Sequence, residues 1–137
     1  MSLVLDSSTI VAWLYIDETT PAISRVVELL AQNGAWVPSL WSLEVANVLE
    51  IGVRRGRHDS TFRDAMLADL SLLPISTDLE TDKHAWHATL QFAHRHRLTL
   101  YDAAYLELAH RRRLPLATLD ADLRAAAMAE GVPLLGI

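Results

Sequence analysis

A chain of 137 residues that is 51% hydrophobic holds enough apolar material for the core of one ordinary domain, expected here to span 1–137. The absence of cysteine excludes disulfide frameworks and thiolate metal sites, and a formal net charge of −5 excludes adhesion to nucleic acid or anionic membrane by bulk charge. No stretch has the length and continuity of a membrane span, and the first residues lack the pattern of a secretory signal, so a cytoplasmic protein with no membrane partner is expected.

The predicted elements alternate along the chain. Residues 2–6 (SLVLD) read as a strand closed by an acid, 7–15 (SSTIVAWLY) as a short helix, and 20–34 as a helix with Pro21 in its first turn and Gly34 at its end. A second strand follows at 35–38 (AWVP). Residues 39–56 and 59–73 have the lengths and apolar arcs of helices, and 74–77 (PIST) form a brief third strand. Two further helices cover 80–97 and 99–113, a fourth strand 114–120 (LPLATLD), a helix 121–131 and a fifth strand 132–137 (VPLLGI). Strands separated by helices imply an α/β fold: a three-layer α/β/α sandwich around a mainly parallel sheet of about five strands. Ligands of such sheets sit at the carboxyl ends of the strands.

Asp6 stands where the first strand runs out, and Asp120 closes the aliphatic run PLATLD in the same way. An Asp between strand and helix also serves as an N-cap, so each position alone admits a structural role. The helices add two more acids. Projected at 3.6 residues per turn, Glu44 falls in the arc of Leu40, Trp41, Val45, Val48 and Ile51, opposite Ser42, Asn47, Glu50 and Arg54. Asp102 likewise falls beside Tyr105, Leu106 and Ala109, with Glu107 and Arg111 on the solvent face. Thr99 followed by an acid three residues on also fits a capping box, and Glu44 also fits a rim position open to water. If the four converge, each pair ~5 Å apart repels by roughly 3 kcal/mol at an effective dielectric of about 20. Such a cluster takes up protons or holds a cation. An all-oxygen donor set selects Mg²⁺ or Mn²⁺, which keep waters and leave positions for phosphate.

With these residues identified, the chain resembles the PIN-domain ribonucleases, and more narrowly the VapC-type toxins of bacterial toxin–antitoxin pairs. The likeness rests on LDSS at 5–8, PSLWSLE at 38–44, the run LTLYDAAYLELAHRRRLPLATLDADLRAAA at 98–127 and GVPLL at 131–135. It implies hydrolysis of RNA phosphodiester bonds with Mg²⁺ or Mn²⁺ as cofactor. In that family four acidic positions form the metal site, matched here by Asp6, Glu44, Asp102 and Asp120; Asp6 and Asp102 would then bind the principal ion, Asp120 a second ion or a bound water, and Glu44 would orient the nucleophile. Ser7 and Thr118 match supporting hydroxyl positions, and Asp122 matches a fifth acid that contributes in some relatives, a solvated turn or a place in the first turn of a helix being equally open to it here. A cognate antitoxin and a homodimer are the implied protein partners.

Three basic runs offer contacts for RNA phosphates or, as readily, for helix C-termini: Arg54, Arg55 and Arg57; Arg95 and Arg97; Arg111, Arg112 and Arg113. His84 and His87 have a metal-compatible spacing but no third ligand, while His94, His96 and His110 read as surface; Trp13, Leu14, Tyr15, Trp41 and Trp86 read largely as core. Two other classes remain open at this point. A phosphoaspartyl phosphatase needs an acid two residues after Asp6, where this chain has Ser8, and a non-catalytic domain binding a metal or partner would use the same pocket without turnover.

Overall fold

In the computed structural model, which describes residues 1–137, β1 (Leu3–Leu5) leads into α1 (Ser7–Leu14), α2 (Pro21–Asn33) and β2 (Ala35–Val37). Next come α3 (Trp41–Arg54), α4 (Ser60–Leu70) and β3 (Ile75–Thr77). The second half holds α5 (Thr81–His84), a π-helical turn (Ala85–Thr89), α6 (Leu90–His96), α7 (Leu100–Arg112), β4 (Leu116–Ala117), α8 (Ala121–Ala129) and β5 (Leu134–Leu135). Local chemistry sets several boundaries. The Thr20 hydroxyl accepts the Ile23 amide at the start of α2, Pro21 follows it, and Gly34 ends the helix at φ 78°, a conformation glycine adopts without strain. Asp59 caps α4 through the Phe62 amide.

The five strands form one parallel sheet in the order β3-β2-β1-β4-β5, with Val4 opposite both Trp36 and Leu116. From β1 the chain steps outward to β2 and β3, then returns past β1 to β4 and β5. Right-handed crossovers in opposite directions send α1–α4 to one face and α5–α8 to the other, giving three layers. The packing agrees: α1 lies against α2 and α3, and α7 against α6 and α8. All three residues of β1 are fully buried, as expected of a central parallel strand covered on both sides. The direction of winding reverses between β1 and β4, and the carboxyl ends of those two strands face the crevice where such sheets bind ligands. No helix is long and apolar enough to cross a membrane.

Several expectations needed correction. β4 holds two residues instead of the run 114–120, so Asp120 lies beyond the strand and occupies the N-cap of α8. The helix expected over 80–97 breaks at His87 (φ −121°, ψ −106°). A straight helix would put Trp86 on the face of Ala93, seven residues on; the break turns it outward, and Trp86 is 84% exposed. Glu107 is buried, not solvated, because Arg111 meets it at 2.8 Å and Asp78 at 2.6 Å, supplying the charge that lets this face of α7 pack.

Candidate active site

The site begins with the pairing of the two central strands. The Asp6 amide donates to the Ala117 carbonyl at 3.0 Å, the last rung between these two strands. Side-chain hydroxyls then replace the ladder. Ser8 Oγ and Thr118 Oγ1 donate to Asp6 Oδ2 at 2.6 and 2.8 Å, while the same two oxygens accept the amides of Leu119 and Asp120 at 3.1 Å each. Asp6 sits at the N-cap of α1 but makes no capping bond with its side chain. It is 4% exposed, and burial raises its pKa against the pull of the hydroxyls. Asp120 does cap its helix, accepting the Leu123 amide at 2.8 Å. Arg124, one turn along α8, donates to the carbonyls of Thr118 and Leu135 and ties the ends of β4 and β5 together beneath the site.

The other two acids arrive from opposite layers. Glu44 is in the first turn of α3 and accepts a short hydrogen bond from the phenol of Tyr105 on α7. Burial raises its pKa, the Tyr105 bond lowers it, and the charge of Asp6 raises it further. Asp102 is in the first turn of α7, where the Thr99 hydroxyl accepts its amide at 3.1 Å, one half of the capping box. Its carboxyl is pushed up to about 6, first by burial and then by the charges of Asp6, Asp120 and Glu44. All four acids are therefore electrostatic neighbours at the point where the sheet reverses its winding.

In these side-chain positions no three His, Cys, Asp or Glu residues already form a metal cage. The donor chemistry nonetheless suits a hard divalent ion: carboxylate oxygens only, held near one another at an energetic cost that a cation would relieve. Two hydroxyls serve Asp6, and only Thr118 was expected from sequence. Ser8 is the second, and its signal was a hydroxyl two residues after the acid that ends β1. Ser7 turns the other way, its backbone toward Asp6 and its hydroxyl toward Glu44 and Tyr105. Asp122 is exposed and bonds to none of the four acids. Tyr105 was read as core and is fully buried, yet its hydroxyl belongs to the site.

The basic runs are largely spent inside the molecule. Arg57 pairs with Asp17 and Glu18, Arg95 with Glu130, Arg111 with Asp78, Glu107 and Glu80, and Arg112 with Asp78 while lying over the Trp36 ring. His96, expected on the surface, is partly buried at 3.2 Å from Glu130.

The PIN domain family model matches residues 3–128. Among solved structures, the fold is similar to that of PAE2754 from Pyrobaculum aerophilum (TM-score 0.66, 22% identity, 98% of this chain and 83% of that one). It is also similar to FitAcB from Neisseria gonorrhoeae (TM-score 0.67, 14% identity, 98% and 96%). A third neighbour is VapBC2 from Rickettsia felis, described bound to a DNA fragment from its promoter (TM-score 0.64, 14% identity, 98% and 97%). No curated protein matches the sequence. The family match runs from the first strand into the last helix and takes in every one of the four acids: the chain belongs to the PIN-domain family, whose members are generally nucleases.

Proposed function

We propose that the chain is a Mg²⁺- or Mn²⁺-dependent endoribonuclease, the toxin of a bacterial toxin–antitoxin pair acting in the cytoplasm as a single domain over 1–137. The observation that carries this reading is that Asp102 feels the charges of Asp6, Glu44 and Asp120, four acids brought from four separate segments to the carboxyl ends of β1 and β4. The four acids together would form the metal site, with Asp6 and Asp102 holding the principal ion, Asp120 a second ion or its water, and Glu44 closing the set on the side of the attacking water. When bound, such an ion lowers the pKa of its water and shields the scissile phosphate.

The chain's own groups do the rest. Ser8 and Thr118 fix the Asp6 carboxylate so that one oxygen is spoken for and the other stays available. Asp102, with its carboxyl near 6, retains a fraction of its protons at mildly acidic pH and must lose them before it ligates. Glu44 supplies an acceptor that orients the attacking water.

Two protein partners belong to the same proposal. The fold likeness to VapBC2 supports a cognate antitoxin. A homodimer is carried over from the family resemblance; an apolar groove of about 570 Å³ beside Glu44, where Leu43 and Tyr101 stand 76% and 65% exposed, offers a face for a protein partner.

The test is incubation of single-stranded RNA with the wild-type chain and Asp6→Asn, each with Mn²⁺, with Mg²⁺ and with EDTA. Wild type should cut only with metal and Asp6→Asn not at all, while its metal-free melting temperature is at least that of wild type because one member of a repelling set is neutral. An active Asp6→Asn chain would remove the site from contention. RNA left intact by wild type with both metals would favour a binding domain without turnover.

A further inference from the structure

Tyr105 is the one large, fully buried side chain of the core whose polar atom bonds to a member of the acid cluster. Its ring belongs to the main hydrophobic cluster, so packing alone would be satisfied by phenylalanine. The hydroxyl is another matter. A buried phenol requires a partner, and here it donates to Glu44 Oε1, on a helix from the opposite layer of the sandwich, with the Ser7 hydroxyl facing both groups.

Glu44 has no comparable need of the phenol, because it is only partly buried and water can reach it. The bond therefore does more for the orientation of the carboxylate than for its solvation. Asp102 and Tyr105 are three residues apart on α7 and so share one face of that helix. One rigid element thus supplies both an acid of the cluster and the donor that engages a second acid across the crevice.

We propose that Tyr105 is a positioning residue for Glu44, holding Oε1 so that Oε2 is presented to the metal-bound face of the site. The assignment rests on the nuclease reading only for its kinetic consequence; its consequence for metal binding is independent. Tyr105 acts through Glu44 and touches neither substrate nor the reacting atoms.

The test compares Tyr105→Phe, Glu44→Gln and the double variant in the full chain. Steady-state cleavage of RNA is read alongside Mn²⁺ affinity, taken from the electron paramagnetic resonance of free Mn²⁺. Tyr105→Phe should lower kcat at least tenfold with KM within threefold of wild type, and should weaken Mn²⁺ binding at least threefold. The double variant should be no slower than Glu44→Gln alone, because the phenol has nothing left to orient. A purely structural hydroxyl predicts otherwise: kcat and Mn²⁺ affinity within twofold of wild type, or losses that multiply in the double variant, and either result overturns the assignment. If wild type cuts no RNA, the nuclease reading fails and the Mn²⁺ titration decides Tyr105 by itself.

Should Tyr105→Phe not fold, the wild-type chain labelled with 3-fluorotyrosine at its three tyrosines serves instead. The ¹⁹F line of residue 105, assigned with Tyr15→Phe and Tyr101→Phe, should move on adding Mg²⁺ and stay still in Glu44→Gln. A line indifferent to both Mg²⁺ and Glu44→Gln contradicts the proposal.

Discussion

Asp102 concentrates the residue-scale physics, since its carboxyl sits near 6 because it is partly buried among three other acids. A carboxyl whose folded-state pKa lies above its unfolded value of 3.8 binds its proton more tightly when folded. Metal-free stability therefore declines as pH rises from about 4 through about 6, and the deficit is complete above that range. The full displacement corresponds to about 3 kcal/mol; solvent reaches the group, and screening reduces the expected effect to ~1–2 kcal/mol. Asp102→Asn should thus be more stable than wild type at pH 7 without metal, equal to it near pH 4, inactive on RNA, and blunted in its Mn²⁺-dependent rise in melting temperature. Urea melts across pH check the first two. Thr99→Ala is the control: it removes the acceptor of the Asp102 amide, should cost about 1 kcal/mol, and should retain cleavage. At this scale the sequence was informative where an acid broke a helix's own apolar pattern, as Glu44 and Asp102 do. It could not tell Ser7 from Ser8, because which hydroxyl folds back onto Asp6 depends on the residue at which α1 starts, and both are good N-terminal helix residues.

Among the elements, α7 carries the most. Its N-terminal turn brings Asp102 and Tyr105 to the crevice, while its C-terminal half is anchored by an ion network around Asp78, the residue after β3. Asp78 is fully buried; burial opposes its ionisation, but Arg111 and Arg112 prevail and hold its pKa below the ordinary carboxylate value. That stabilisation is present above the unfolded pKa of 3.8 and is lost as pH falls through the lower folded value. Asp78→Ala takes from Arg112, 30% exposed, its one carboxylate partner and from Arg111, 20% exposed, one of three, and should cost about 3 kcal/mol in urea melts at pH 7. A loss under 1 kcal/mol would show the network to be dispensable. None of this was visible in the helical pattern, which set Glu107 on the solvent face. Periodicity distinguishes polar from apolar sides but is blind to a salt bridge that makes a polar side fit for burial. The break at His87 was equally hidden, since the residues of 85–89 have nothing that bars a regular helix.

For the whole molecule, the alternation of short aliphatic runs with amphipathic helices made the parallel sheet legible, because each parallel step demands a crossover. What it left out was strand length: hydroxyl groups, not further sheet, take up the amides of Leu119 and Asp120, so the end of the apparent strand 114–120 is the approach to the site. The convergence of the acids follows from the strand order, which reverses between β1 and β4 and was not readable from sequence. Hydrolysis of RNA by a metal-activated water, as proposed for this crevice, leaves its mark on the ends of a single-stranded RNA cut by the wild-type chain. The expected termini are 5′-phosphate and 3′-hydroxyl, formed with Mn²⁺ or Mg²⁺ and abolished by EDTA. A 2′,3′-cyclic phosphate that forms equally well in EDTA would contradict that mechanism.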